Sequence, residues 1–574
     1  MKKNILNLTA ILIAIVTYSQ TGNEVLGNFA GSNISTGDYN TIVGDSTAHY
    51  LNTSLSNTIL GYRAGRSINF SSTSQANYNI MIGEDAGYMH TIADENIYIG
   101  YQAGYFNTND VDNVFVGFRA GYFNDDSDGT FIGHGAGFNN TTGGDNTFIG
   151  EAAGVSVTTG DDNTFVGQKA GAGTFTSVSP NTNATTNPNT ASDNTAIGSA
   201  AGFNLRTGYR NAFLGSEAGY DNEEGYRNTF VGDSTGIDNN VGRLNTFVGQ
   251  GAGSANEYAS YNTFVGSEAG KGGTTSAPYS SGENNVALGY YALKNFTTGH
   301  SNVAIGSHAM DAITDSNHAI GIGTGALGGT TSTLGSVVLG TNAGNNATFG
   351  NYNIIMGYTN GQGALGTMNT FIGGAETGRA ATSDYAIGIG AYALQNTTAT
   401  GNVGIGHKAL QSNTSGAGNL AIGYEALKVH TTGGNNIAIG YQAMYDTNAG
   451  STSLGSEDNI FMGYSAGGGT WANAASNGNV GIGNYSMDAA LNGALRNVAI
   501  GHEALTGLTS GDYNQAIGYR ALYAANTGGS NTAIGHEAGI SITSGAMNVA
   551  IGYHAGYNNQ TGVYNVHIGM QAGY

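Results

Sequence analysis

NTFIGEAAGVSVTTGDD, residues 146–162, is one copy of a unit that recurs along the chain. With Asn146 as position 1, its core reads Asn-x-apolar-(Ile/Val/Leu/Met)-Gly-x-x-Ala-(Gly/Leu). The position-5 glycine recurs in 31 copies, from Gly27 to Gly569. Of the 30 intervals, 21 are 17 residues, three are 16 and six are longer. A period this short and regular marks a solenoid, in which each repeat buries its apolar face only against its neighbours. The expected fold is therefore all-β: a repetitive parallel β-solenoid (β-roll) of about 31 short rungs, forming an elongated rod.

Composition narrows the class. Glycine is about one residue in six (96 of 574), but there are only three prolines and no Gly-X-Y period, so the chain is not collagen. Only 10% of residues are charged, which argues against a charge-rich disordered segment. A net charge of −21 makes nucleic acid and acidic membrane surfaces poor partners. With no cysteine, disulfides, thiolate metal sites and cysteine nucleophiles are all excluded.

Residues 1–19 read as a bacterial secretory signal peptide. Lys2 and Lys3 precede the apolar run Ile5–Val16, which is too short to span a membrane, and small residues stand at Thr17 and Ser19. Export to the cell surface or medium is expected, with residues 20–574 as a single repeat domain and no membrane insertion.

Positions 1–5 read as a short strand, in which positions 3 and 4 point to opposite faces. Both are apolar. Position 4 is always aliphatic and is read as the inward column. Position 3 then needs another cover, either a return strand or a second chain. Positions 3 and 9 exchange bulk. Leu or Met at position 9 (Leu293, Leu410, Leu427, Leu505 and six others) accompanies Ala or Gly at position 3, whereas nine of the ten position-3 phenylalanines accompany Gly at position 9. The two positions should share one packing site that holds one large side chain. Ala196/Gly202, Ala533/Gly539 and Ala550/Gly556 are small at both. Rungs over 113–270 are mostly Phe/Gly-type, and those over 285–522 mainly Ala/Leu-type. Position-1 asparagines should stack into an amide ladder. Positions 10–17 read as polar turns. The longer intervals read as turn insertions: Ser67–Tyr78, Ala172–Asp193, Lys271–Asn284, Tyr445–Asp458 and Gly468–Gly478, which carries the sole tryptophan, Trp471.

No catalytic constellation stands out. The Gly-x-Gly strings lack a following helix and a phosphate-pairing lysine. Asp125, Asp126 and Asp128 resemble part of a calcium loop without its distal glutamate. The 12 histidines seldom share a column in adjacent rungs, so no metal site, cofactor or enzymatic activity is expected. One column is aromatic. Position 6 is Tyr at Tyr62, Tyr101, Tyr290, Tyr424, Tyr441, Tyr464, Tyr519 and Tyr553, a stripe that could stack on sugars if exposed.

The segments NVAIGHKAL (402–410), NLAIGYEAL (419–427) and NVAIGHEAL (497–505) resemble the head repeats of YadA-like trimeric autotransporter adhesins and of tail-fibre-like bacterial surface proteins. The resemblance covers residues 23–574. It implies a homotrimeric parallel β-roll displayed on the cell surface and used for attachment to a surface glycan or extracellular-matrix ligand. The 17-residue period departs from that family's usual 14, and residues 23–574 themselves contain neither a heptad stalk nor a membrane-barrel pattern. The alternative from the residues is a monomeric ice- or polysaccharide-binding solenoid, for which the Thr147, Thr164, Thr229, Thr246 and Thr263 column at position 2 speaks.

Overall fold

The computed structural model describes residues 22–68, 75–173, 189–273, 280–345, 348–363, 365–374, 376–379, 382–447, 455–472 and 474–574. The signal segment 1–19 and most of the insertions after Ile68, Gly173, Gly273 and Thr447 lie outside the described residues. Two compact units, Met1–Thr298 and Gly299–Tyr574, are built from the same rung. The first holds β1 (Glu24–Leu26) through β15 (Val286–Leu288), the second β16 (Val303–Ile305) through β31 (Val566–Ile568). Each strand is three residues, positions 2–4, and within each unit pairs in parallel with the strand one rung on, residue for residue. Thr147, Phe148 and Ile149, for example, face Thr164, Phe165 and Val166. There is no α-helix among the described residues, and no helix among them is long and apolar enough to cross a membrane.

The inward column is position 3, not position 4. Position 3 is buried in every strand except the first and last, while positions 2 and 4 are never fully buried. Phe115, Phe131, Phe148 and Phe165 stack inside the coil at centroid separations of 4.7–5.2 Å, the spacing between strands. The site shared with position 9 therefore lies within one chain's own coil. A Cβ added at Gly154 would meet Phe148 Cδ2 at 2.7 Å, and one at Gly171 would meet Phe165 Cε2 at 2.2 Å. In the other rung type, position-9 leucine leans over position 3 of the next rung: a Cβ at Gly404 would sit 3.2 Å from Leu394 Cγ. The rungs that are small at both positions are filled by a neighbouring rung or by their own position 12. Phe213 lies 3.1 Å from a Cβ at Gly202, and Leu522 and Ile542 each lie 3.0 Å from one at Gly539. Position 9 is left-handed in every rung but that of Phe371, where Gly378 takes the place of Thr377, with φ +58° at Gly154 and +47° at Leu427. Glycine meets this without cost, while leucine offsets roughly 1 kcal/mol of strain by its burial.

The asparagine ladder forms as expected. Asn146 Nδ2 donates to Gly160 O of its own rung at 2.8 Å, while its Oδ1 accepts from Asn163 N and Nδ2 at 2.9 and 3.0 Å. The same pattern runs Asn497–Asn514–Asn531–Asn548–Asn565. Each buried side chain thus closes its rung and ties it to the next.

Positions 10–17 are not uniformly polar turns. Position 12 is a further interior column. Val157, Leu205, Phe296, Ile313 and Leu508 fill it in some rungs, and Asn140, Asn239, His90 and His430 in others, all buried. The polar side chains there donate to the carbonyl of position 15. Asn140 Nδ2 bonds Gly143 O at 2.8 Å, and His430 Nε2 bonds Gly433 O at 2.7 Å. Trp471, read as part of a surface insertion, is likewise fully buried. Its Nε1 donates to Gly467 O at 3.0 Å and its ring meets Phe461 edge-on.

Burial pushes His90 and His430 down to about 4 from 6.5. The folded pKa lies below the unfolded one, so this contribution is complete above pH 6.5 and is lost as pH falls from 6.5 towards 4. Half-buried Asp110 and Asp488 are raised to about 6, chiefly by desolvation, and act in the opposite direction between pH 4 and 6. Their effect is smaller because solvent screens them. His430→Asn keeps the bond to Gly433 O and removes the titration. Between pH 7.5 and 5 it should recover about 2 kcal/mol of local stability relative to wild type, read by hydrogen exchange across residues 419–447. An unchanged pH profile would refute a neutral buried imidazole.

Candidate binding surface

Position 5 sets where position 6 points. Gly423, Gly440 and Gly463 have φ of +139° to +144°, a region open essentially to glycine alone. The chain turns there, and position 6 emerges beyond the strand. All eight tyrosines expected to form a contact stripe are exposed, from 36% at Tyr101 to 50% at Tyr62. They do not form one stripe. In the second unit, Tyr424, Tyr441 and Tyr464 stack face to face at 5.0 and 5.1 Å, with His407 continuing the ladder at one end. Asn484 takes the column on the next rung, and beyond it His502, Tyr519, His536 and Tyr553 stack at 4.9–5.7 Å. The Tyr441 hydroxyl is raised by desolvation in the stack and by its two tyrosine neighbours. In the first unit, Tyr101 stacks on Phe118, Tyr62 lies under the Arg63 guanidinium, and Tyr290 pairs with Tyr291.

The sequence reading missed a second aromatic ladder. At position 10, Tyr88, Tyr105, Tyr122 and Phe138 stack at 4.9–5.1 Å, with Phe106 and Phe123 of position 11 packed edge-on against them. Its signal was present as aromatics 16 or 17 residues apart in a stretch read as turn.

The strand's outward face is the more extensive feature. Position 4 presents an aliphatic side chain to the outside on rung after rung, with Ile149, Ile322, Ile500, Ile517 and Ile534 each 36–38% exposed. Position 2 alongside is Thr over Thr130–Thr195 and Thr229–Thr263, and mostly Val or Ile in the second unit. A scattered exposed aliphatic needs no explanation, but one repeated in register does.

In the acidic loop, carboxylate oxygens are engaged by neighbouring donors. Asp125 Oδ1 accepts from Thr108 Oγ1 at 2.6 Å, and Asp126 Oδ1 from Ser127 N at 2.8 Å. Although the histidines seldom share a column in adjacent rungs, the fold brings His536, Glu537 and His554 together, with their donor atoms within 4.8 Å of one another. No protein-family model matches the sequence, and no curated protein is found to be similar to it.

Proposed function

We propose that this chain is a secreted, surface-displayed structural fibre or adhesin head that attaches by non-catalytic binding and assembles as a homotrimer. The observation that supports it is the outward strand face. Position 4 is Ile, Val or Leu in 29 of the 31 copies and Met in the other two, although it points away from the chain's own core. Burying such a column against like columns of other chains would remove on the order of 25 cal/mol per Å² of apolar surface from water. The exposed tyrosine ladder at Tyr424, Tyr441 and Tyr464 offers flat faces of the kind that stack on sugar rings. The sequence resemblance to trimeric adhesin heads points the same way.

Light scattering on residues 20–574 tests the assembly, with three chain masses expected. Ile500→Asp/Ile517→Asp/Ile534→Asp should shift the mass towards one chain and leave the β-sheet circular dichroism unchanged, because these side chains lie outside the coil. A monomeric wild type would remove the trimer. Loss of glycan or matrix attachment on replacing Tyr424, Tyr441 and Tyr464 by alanine would locate the contact, and undiminished attachment would exclude that ladder.

One observation favours the second reading, a monomeric ice- or polysaccharide-binding solenoid. Thr229, Thr246 and Thr263 pair in register on the outward face. Ice recrystallisation inhibition by the monomer would support it, and its absence would eliminate the ice-binding version.

A further inference from the structure

We infer that His536, Glu537 and His554 form a binding site for a single divalent transition-metal ion, with zinc the best match. The site is produced by the register of the rungs. His536 and Glu537 are positions 6 and 7 of one rung, and His554 is position 7 of the next. Their backbones are pinned: Glu537 N donates to Tyr519 O at 2.8 Å, and His554 N donates to His536 O at 3.0 Å. Glu537 and His554 are both left-handed, at φ +54°, which brings their side chains to the same side. The three donor atoms lie within 4.8 Å of one another, against about 3.4 Å between ligands around tetrahedral zinc. Side-chain rotation alone covers the difference. Two imidazoles and one carboxylate suit zinc and its neighbours better than calcium or magnesium, which take oxygen ligands.

Two further observations point to a ligand. His554 Nε2 lies 2.8 Å from Glu537 Oε2, and both side chains are only 16% exposed. Yet that buried nitrogen is not aligned for a hydrogen bond with any group. A ring stacked at 3.9 Å on Tyr553 and flanked by Tyr557 is held in place without its nitrogen being used. The second observation is an internal comparison. Most other position-7 carboxylates face built-in cations, Glu217 being the exception: Asp85 faces Arg63, Glu268 faces Lys271 and Lys294, and Glu425 faces Lys428. The same His-Glu dipeptide at His502-Glu503 is met on the next rung by Arg520, 2.5 Å from the carboxylate. At Glu537 the residue in the place of that arginine is His554, a metal ligand when neutral.

The comparison also supplies the variant. His554→Arg recreates the Glu503–Arg520 arrangement, so it should fold, as circular dichroism would verify. Isothermal titration of the secreted chain with zinc should show one saturable site per chain, and cobalt should give the absorption of a tetrahedral nitrogen–oxygen site. H554R should abolish both, and Glu537→Gln should weaken zinc by about tenfold or more. If H554R binds zinc as wild type does, or if wild type shows no saturable site, the cluster is a histidine–glutamate contact and the inference fails.

Discussion

Gly150→Ala is expected to open its rung. Gly150 has φ +138°, and a methyl group there would come within 2.3 Å of Gly167 O on the next rung. That oxygen already accepts from Ala170 N at 3.3 Å, and Gly150 N donates to Ile132 O at 2.7 Å. The backbone therefore cannot shift without breaking bonds on both sides. Strain in this region costs roughly 1–3 kcal/mol, and relieving the clash forfeits ladder hydrogen bonds of about 1 kcal/mol each. A local loss of at least about 3 kcal/mol follows. A long repeat array does not unfold as one cooperative unit, so a single melting midpoint is the wrong observable. Hydrogen exchange over residues 130–170 reads the loss rung by rung. Gly144→Ala, in the turn of the preceding rung, is the control. Its added methyl would meet only the Asp126 carboxylate at 3.5 Å, and it should change protection by less than about 0.5 kcal/mol. Equal effects at the two glycines would refute the geometric account.

The second large effect is a double-mutant cycle at the boundary between the rung types. Phe264 stacks on Phe247 at 4.9 Å, and Ala287 follows it in register. Phe264→Ala should cost roughly 3–5 kcal/mol by leaving a cavity. Gly270→Leu should cost about 2–4 kcal/mol, because its Cβ would fall 2.4 Å from Phe264 Cδ2. Together the two substitutions turn the rung into the kind that follows it, with a leucine over the small Ala287. The double variant should recover at least about 2 kcal/mol relative to the sum of the singles. Additive losses would mean that the two positions do not fill one space.

Both predictions depend on features that are periodic along the chain. The 17-residue spacing, one short strand per rung (read over positions 1–5, formed over 2–4), the asparagine ladder and the sharing of space by positions 3 and 9 were legible in the residues. Each is a pairwise or local rule repeated some thirty times, so chance patterns average out. The position-6 tyrosine column was legible for the same reason, since each tyrosine follows the repeated glycine, while its exposure came from the structure.

The direction of the core was not legible. Alternation puts Phe148 and Ile149 on opposite faces but does not say which face is inside, and both columns are apolar. Only the closed coil places Phe148 against Gly154 and leaves Ile149 outside. The same limit hid position 12. His430, Asn140 and Trp471 look like turn residues until the coil's closure buries them against the carbonyls of positions 15 and 9. The His536–Glu537–His554 cluster was hidden for a related reason. His536 and His554 occupy different columns, and their meeting depends on left-handed backbone at position 7, which a histidine or glutamate does not announce. What repeats along the chain, the sequence determined by itself. What depends on how a rung closes on itself and settles on the next, only the tertiary structure decided.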